Sequence, residues 1–289
     1  MISVIILHHS KARYSKACLV SLLQTATRPL QVINVDNGSS DDTVKVLLEW
    51  EKLARAQGIE VLTLPQAENI GAVRGRNVAM EASAGDYIVF LDNDTLICQP
   101  TWLDDLCAFL QAHSSCGIVA PKLLFPWQPF LIECCGCALS RQGRVAYLGR
   151  GEQRDSITHP QQIQATISAA WMMPRAVYQK LGGLDEIYSP VQYEDLDYCY
   201  RARAAGFEVW TNPAVELFHF EHTTTAGSDD VNFRYVTSRN ALAFKKRWKS
   251  TFEAEAGMEN ASYAWRQLSK YGIEDVDWEG ECKRMNYEL

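Results

Sequence analysis

The sequence predicts an α/β fold, with a Rossmann-like half built on a central, mostly parallel sheet, a second and less regular half, and C-terminal helices. Three observations predict it. Short apolar runs of strand type alternate with stretches of helical spacing through residues 1–97. Three of those runs end in polar side chains. A chain of 289 residues, 47% hydrophobic, 22% charged and 10% aromatic, is globular and long enough for one large or two small domains with a core that needs no staples.

The elements follow in order. Ile2–Leu7 is an apolar run of strand type, and Ser15–Ala26 places Leu19, Leu22, Leu23 and Ala26 at helical spacing. Val32–Val35 is a second strand. Ser39, Ser40 and Asp41 then offer cap oxygens to a helix carrying Val44, Leu47 and Leu48 that stops at Gly58. Glu60–Leu64 reads as a strand, Val73–Ala82 as a helix and Tyr87–Leu91 as a wholly apolar strand. Strands separated by helices imply βαβ crossovers and a parallel sheet, whose ligands sit at the carboxyl ends of the strands. The exits to inspect are therefore His8-His9-Ser10, Asp36-Asn37-Gly38 and Asp92-Asn93-Asp94. In the second half, Cys134–Tyr147 with Gly136 and Gly143 reads as a hairpin, and Pro174–Leu181 as a short helix closed by Gly182-Gly183. Leu196–Ala205 is a helix ending at Gly206, Phe207–Thr211 and Val215–Phe218 are strands, and the chain turns helical from about Ser228, with a basic run at Lys245, Lys246, Arg247 and Lys249.

Composition excludes some function classes. Lys plus Arg number 28 against 35 Asp plus Glu, a net charge of −7. Nucleic-acid binding runs on phosphate neutralisation by a basic face, so no nucleic-acid partner is expected. No apolar stretch reaches the roughly 18–20 residues of a membrane span. Met1–Leu7 is short and lacks a positive flank, so it reads as a strand rather than a signal peptide. Nine cysteines scattered without such a signal are expected as reduced thiols of a cytoplasmic protein.

The strand exits carry chemistry. Asp92 and Asp94 stand two residues apart after a buried strand, where hard oxygen ligands suit Mg²⁺ or Mn²⁺ beside a diphosphate; alone, the same pattern is also a solvated acidic turn. Asp36 is not needed for the helix cap that follows and can accept the imide N–H of a uracil or thymine. Asn69-Ile70-Gly71 and Arg74-Gly75-Arg76-Asn77 make a Gly-spaced loop entering a helix, where arginines can meet phosphate or simply start the helix. Glu194, Asp195 and Asp197 crowd one helix start; dipole complementarity explains acids there, and so does a general base. His219 closes a strand, is a candidate third metal ligand, and has His222 three residues on as a competitor. The C-x-x-C at Cys134–Cys137 has no second pair at zinc spacing and reads as structural.

In this order the motifs V-D-N-G-S-S-D-D-T at 35–43, N-I-G-A-V-R-G-R-N at 69–77, F-L-D-N-D-T at 90–95, L-G-G-L-D-E at 181–186 and Y-E-D-L-D at 193–197 are informative, as are Asn212–His219 and Ser238-Arg239-Asn240. Together they resemble the family 2 glycosyltransferases with a GT-A fold, especially the rhamnosyltransferase-like branch, over residues 2–248. The resemblance implies one transferase domain over 1–250, with a nucleotide-sugar half (1–97) and an acceptor half (98–250); a helical tail over 251–289 is expected outside the match. It implies that Asp36 binds the nucleobase with His8 and Asn37 nearby, and that Arg76 and Asn77 lie at the nucleotide. Asp92 then meets donor or metal, Asp94 and His219 hold Mn²⁺ or Mg²⁺, and Gly182-Gly183 lies under the acceptor. Of the acid pair, Asp195 is favoured as base, with Glu194 contacting acceptor or base. The chain departs from the family at His8-His9-Ser10, at Ala170-Trp171 and at Glu221-His222-Thr223.

The activity so implied is inverting transfer of a sugar from a UDP- or dTDP-sugar to a hydroxyl of a glycan or lipid-linked glycan. A sugar-nucleotide pyrophosphorylase and an inactive binding scaffold are the alternatives. Peripheral contact of Lys245–Lys249 with the inner membrane face, against a solvated helix face, and self-association through the tail stay open.

Overall fold

The computed structural model of the chain describes residues 1–26, 29–221, 231–255, 257 and 265–284. The first half is the alternation read from the sequence: β1 (Ile2–His8), α1 (Ala12–Gln24), β2 (Leu30–Asp36), α2 (Thr43–Ala56), β3 (Glu60–Pro65), α3 (Ala72–Ala82) and β4 (Tyr87–Asp92). These strands pair in parallel in the order β3-β2-β1-β4. β1 and β2 are buried at almost every position, as strands of a covered parallel sheet must be, which is why they read as unbroken apolar runs. Trp50 of α2 packs on the core and donates its indole N–H to the Leu19 carbonyl, tying α2 to α1.

The second half extends the same sheet. It comprises β5 (Thr95–Leu96), α4 (Trp102–Ala112), β6 (Cys116–Leu124), β7 (Ile132–Cys134), β8 (Cys137–Leu139), β9 (Val145–Tyr147), β10 (Gln161–Gln162), β11 (Ala170–Pro174), α5 (Arg175–Leu181), α6 (Glu194–Ala204), β12 (Glu208–His219), α7 (Phe233–Ala254) and α8 (Trp278–Arg284). Among the described residues the sheet has ten strands: β10-β12-β6-β11-β4-β1-β2-β3, with β5 paired to β12 and β7 to β6. β11 runs antiparallel between β4 and β6 and thereby joins the halves.

Three expectations change. The hairpin is β8–β9 only, because Cys134 ends β7, which pairs with β6. The two strands expected over 207–218 are one strand, β12, with a register shift between Asn212 and Glu216, where Pro213 has no N–H to give the ladder. The tail is only partly helical among its described residues: past α7 they hold one 3-10 turn at Ile273–Asp275 and the short α8.

The cysteine expectation is also corrected. Cys98 and Cys282, 184 residues apart, form a disulfide, and the other seven are buried thiols. The tail brings Cys282 back onto the strip after β5, where Ile273, Val276 and Trp278 pack on a small apolar cluster with Leu96, Phe218 and Phe220. Among the described residues no helix is long and apolar enough to cross a membrane.

The disulfide should hold the tail in place. Replacing Cys98 and Cys282 by Ala is expected to lower unfolding free energy by about 2–4 kcal/mol and to open residues 265–284 to limited proteolysis; an unchanged cleavage pattern and denaturation midpoint would remove that role.

Candidate active site

Strand ends bring the chemistry together. β4 delivers Asp92, Asn93 and Asp94 at its exit. β12 then pairs antiparallel with β5 so that His219 lies opposite Thr95, one residue past Asp94. That ladder sets His219 Nε2 at 3.2 Å from Asp94 Oδ1. Ligand atoms of Asp92, Asp94 and His219 all lie within 4.8 Å of one another. The other imidazole nitrogen, Nδ1, is 2.8 Å from Glu133 Oε2 on β7, which fixes the ring and leaves Nε2 facing the acids. Burial alone would lower the His219 pKa; Glu133 and Asp94 reverse this and hold it well above the usual value. Two carboxylates and an oriented imidazole are a donor set that fits a divalent cation such as Mn²⁺ or Mg²⁺.

Arg76, on α3, is buried and reaches two acids. Its Nη2 lies 2.6 Å from Asp92 Oδ1, and its Nη1 lies 3.1 Å from Glu194 Oε1 at the start of α6. Burial raises the Asp92 pKa, and Arg76 opposes the rise. Burial and then the neighbouring charge of Asp195 push Glu194 up to about 8, against the pull of Arg76. Glu194 Oε2 has no hydrogen-bond partner among the described residues. Asp195 is half-buried, accepting from the backbone N–H of Leu196 at 2.7 Å and of Ser168 at 3.3 Å. Burial is the main cause that raises its pKa. Asp197 turns the other way, into the core, and accepts from Tyr188, Arg201, Arg247 and Trp248.

These groups line one cleft of about 480 Å³. Arg76, Asp92, Asp94, Glu194, Asp195 and His219 all lie on it, together with Asn37 and Glu133. Asn37 Nδ2 donates to Asn69, and its Oδ1 accepts from Ile70 N–H, so the second strand exit clasps the 69–71 loop. Gly71 has φ +86°, and a Cβ there would sit 2.8 Å from Pro190 Cα, so only glycine lets this loop meet the 190–192 turn. Asn240 of α7 braces that turn, its Nδ2 facing the carbonyls of Tyr188, Val191 and Gln192.

Other expected residues lie elsewhere. His8 is fully buried beneath the site, bonded to Ser15 and Asn34, and burial lowers its pKa to about 4. Ser15 Oγ in turn accepts from Asn93, so His8 acts on the acidic turn from below. Alternation along the strand exit gives the cleft Leu7 and His9 instead. Asn77 clasps Leu184 through both its amide atoms and is not on the cleft, and Gly183 packs against it. Asp36 is buried off the cleft wall and accepts from Ser39 N–H, so it does take part in the turn before α2. At the Ala170-Trp171 departure, Trp171 is core and stacked on Phe90. His222, the competing ligand, lies outside the described residues. Arg247 of the basic run is taken by Asp185 and Asp197. Glu133 and Trp265, both on the cleft, were not anticipated: Glu133 sits in a three-residue strand beside cysteines, and Trp265 comes from the tail.

Residues 3–182 match the family described as Glycosyl transferase family 2. The chain is 28% identical over 259 residues to the uncharacterized protein y4gI of Sinorhizobium fredii, covering 86% of this chain and 28% of that protein. It is 27% identical over 229 residues to the O-antigen biosynthesis protein RfbC of Myxococcus xanthus, covering 76% of this chain and 17% of that protein. The chain thus spans less than a third of either relative. Among solved structures, GalNAc-T7 with UDP, GalNAc and Mn²⁺ superposes with a TM-score of 0.70 over 98% of this chain and 54% of that one, at 14% identity.

Two outcomes are expected from this geometry. Glu133→Gln should weaken Mn²⁺ binding, followed by the loss of the free-ion electron paramagnetic resonance signal, by about 10–100-fold; equal affinity would mean that Glu133 does not orient His219. Arg76→Ala leaves the buried Glu194 and the half-buried Asp92 uncompensated and should cost about 3–5 kcal/mol in chemical denaturation; a loss under 1 kcal/mol would show the pairs to be dispensable.

Proposed function

The chain belongs to glycosyl transferase family 2 and has the GT-A fold, and from that premise we propose that it is an inverting, divalent-metal-dependent glycosyltransferase. It moves a sugar from a UDP- or dTDP-sugar to a hydroxyl of a glycan or lipid-linked glycan of cell-surface type. The observation that carries this reading is the convergence of Asp92, Asp94 and His219 on one side of the cleft that also holds Asp195. The relative named for O-antigen biosynthesis supports the cell-surface class, and the neighbour solved with UDP and Mn²⁺ supports the donor and the metal. Family membership speaks against the pyrophosphorylase alternative, and the assembled acids speak against a mere scaffold.

In the proposed reaction the acceptor oxygen bonds to the anomeric carbon as the bond from that carbon to the diphosphate oxygen breaks. Asp195 takes the hydroxyl proton. Attack on the face opposite the leaving group inverts the configuration. Two backbone N–H groups hold the Asp195 carboxylate, so its position is set before the acceptor arrives. Arg76 holds Glu194 aside, which leaves Asp195 as the base and Glu194 Oε2 as a contact for the acceptor. Asp94, His219 and Asp92 would hold a Mn²⁺ or Mg²⁺ ion, which supplies charge compensation to the departing nucleoside diphosphate. Asn37 and the loop it clasps form the wall that faces the nucleotide, with Asp36 behind it.

The test is release of nucleoside diphosphate from a donor library with Mn²⁺. Asp195→Asn should lower transfer by at least about 10²-fold with donor affinity retained, whereas Asp94→Ala should weaken Mn²⁺-dependent donor binding. Full turnover by Asp195→Asn would remove the base. The base works deprotonated and its pKa is raised, so kcat/KM should fall as pH drops, with the acid limb above the ordinary carboxylate range; a rate flat down to pH ~4 would contradict it.

A further inference from the structure

Beyond the acid-lined end, the same cleft continues to an aromatic wall made by Tyr147 of β9 and Trp265 of the tail. The two rings meet edge to face, with centroids 5.1 Å apart. Trp265 is 45% exposed, although it lines the cleft, a large apolar surface left open where a ligand can cover it. Its position is built. The Arg150 guanidinium lies over one face of the indole, 3.9 Å from the centroid. Arg150 is itself buried and held in a two-pronged pair by Glu221, at 2.9 Å for each nitrogen. Arg150 Nε donates to the Arg266 carbonyl, Arg266 Nη1 donates to the Gly151 carbonyl, and Lys270 joins Glu221 at 2.9 Å. Trp265 is therefore held through the residues that follow it, Arg266 and Lys270, before any ligand binds. Tyr147 and Trp265 line the same cleft as Asp195 and Glu133, so this wall shares the space that holds the proposed base.

We propose that Trp265, supported by Tyr147, is the subsite on which a neutral pyranose ring of the acceptor stacks its C–H face. This rests on the transferase reading given above and names what the acceptor presents next to Asp195. A pyranose offers one apolar face of ring hydrogens and a rim of hydroxyls. An indole offers a flat, weakly negative face that attracts such hydrogens, while the acids of the cleft accept from the hydroxyls. The residue lies outside both the matched family segment at 3–182 and the resemblance over 2–248.

The experiment uses the full chain with UDP and Mn²⁺ and, as probes, methyl glycosides of glucose, galactose, N-acetylglucosamine and rhamnose. Saturation-transfer NMR reads which ring hydrogens touch the protein. At least one glycoside should receive saturation at its ring C–H positions. Its dissociation constant should rise about tenfold in Trp265→Ala and less in Trp265→Phe, with UDP affinity unchanged in both. No saturation in the wild type, equal binding by Trp265→Ala, or a parallel loss of UDP affinity would each overturn the subsite. Failure of the transferase reading is separate. It would appear as no nucleoside diphosphate release from any donor, whatever the glycosides do.

Discussion

The site depends on one buried cation placed between two acids. Arg76 joins Asp92, at the exit of β4, to Glu194, at the start of α6, residues 102 apart in sequence that belong to different halves of the chain. Its guanidinium also lies 5.5 Å from the Phe90 ring, so it is wedged as well as paired. A charge taken out of water is costly unless it is paired, and here each of three groups satisfies another. The planar fork of arginine suits this bridge, because two separate nitrogens at fixed spacing meet one acid each. The register between the strand-exit acids and the α6 acids follows from that bridge. With it in place, the first turn of α6 spreads three carboxylates by helical rotation: Glu194 toward Arg76, Asp195 toward the cleft, and Asp197 into the core.

Periodicity made the first half legible. Parallel strands buried on both sides give unbroken apolar runs, and their polar exits stand out against them. Asp92, Asp94, His219, Glu194, Asp195, Arg76 and Asn37 were found in this way or by the family resemblance, and all reach one cleft. His8 was not separable from His9, because both follow the same run and only the pleat decides which enters the cleft. Asn77 sits one residue after Arg76 on a helix, and a step of 100° carries it round to Leu184. β6 is hard to read from the sequence, since Pro121 interrupts the apolar run Cys116–Leu124 and argues against a central strand. Glu133 and the Cys98–Cys282 pair depend on contacts across 86 and 184 residues, which no local pattern encodes.

The charge balance of the cleft explains why its parts belong together. Glu221 is matched by Arg150 and Lys270, and these pairs serve the tail. Arg76 is shared between Asp92 and Glu194, and the His219 ring between Asp94 and Glu133. Asp195 has backbone N–H groups and no cation of its own among the described residues. The acids of the site therefore outnumber the positive partners they share, and burial raises the pKa values of Asp92, Glu133, Glu194 and Asp195. A nucleoside diphosphate approaching alone would meet this surplus as repulsion. On the proposed reading, a divalent cation at Asp92, Asp94 and His219 would reverse the sign beside the phosphates and would leave the negative charge at Asp195, the proposed base. The surplus that looks unfavourable by itself is thus, on the proposed reading, the arrangement that would couple cation binding to donor binding and keep the base apart from both.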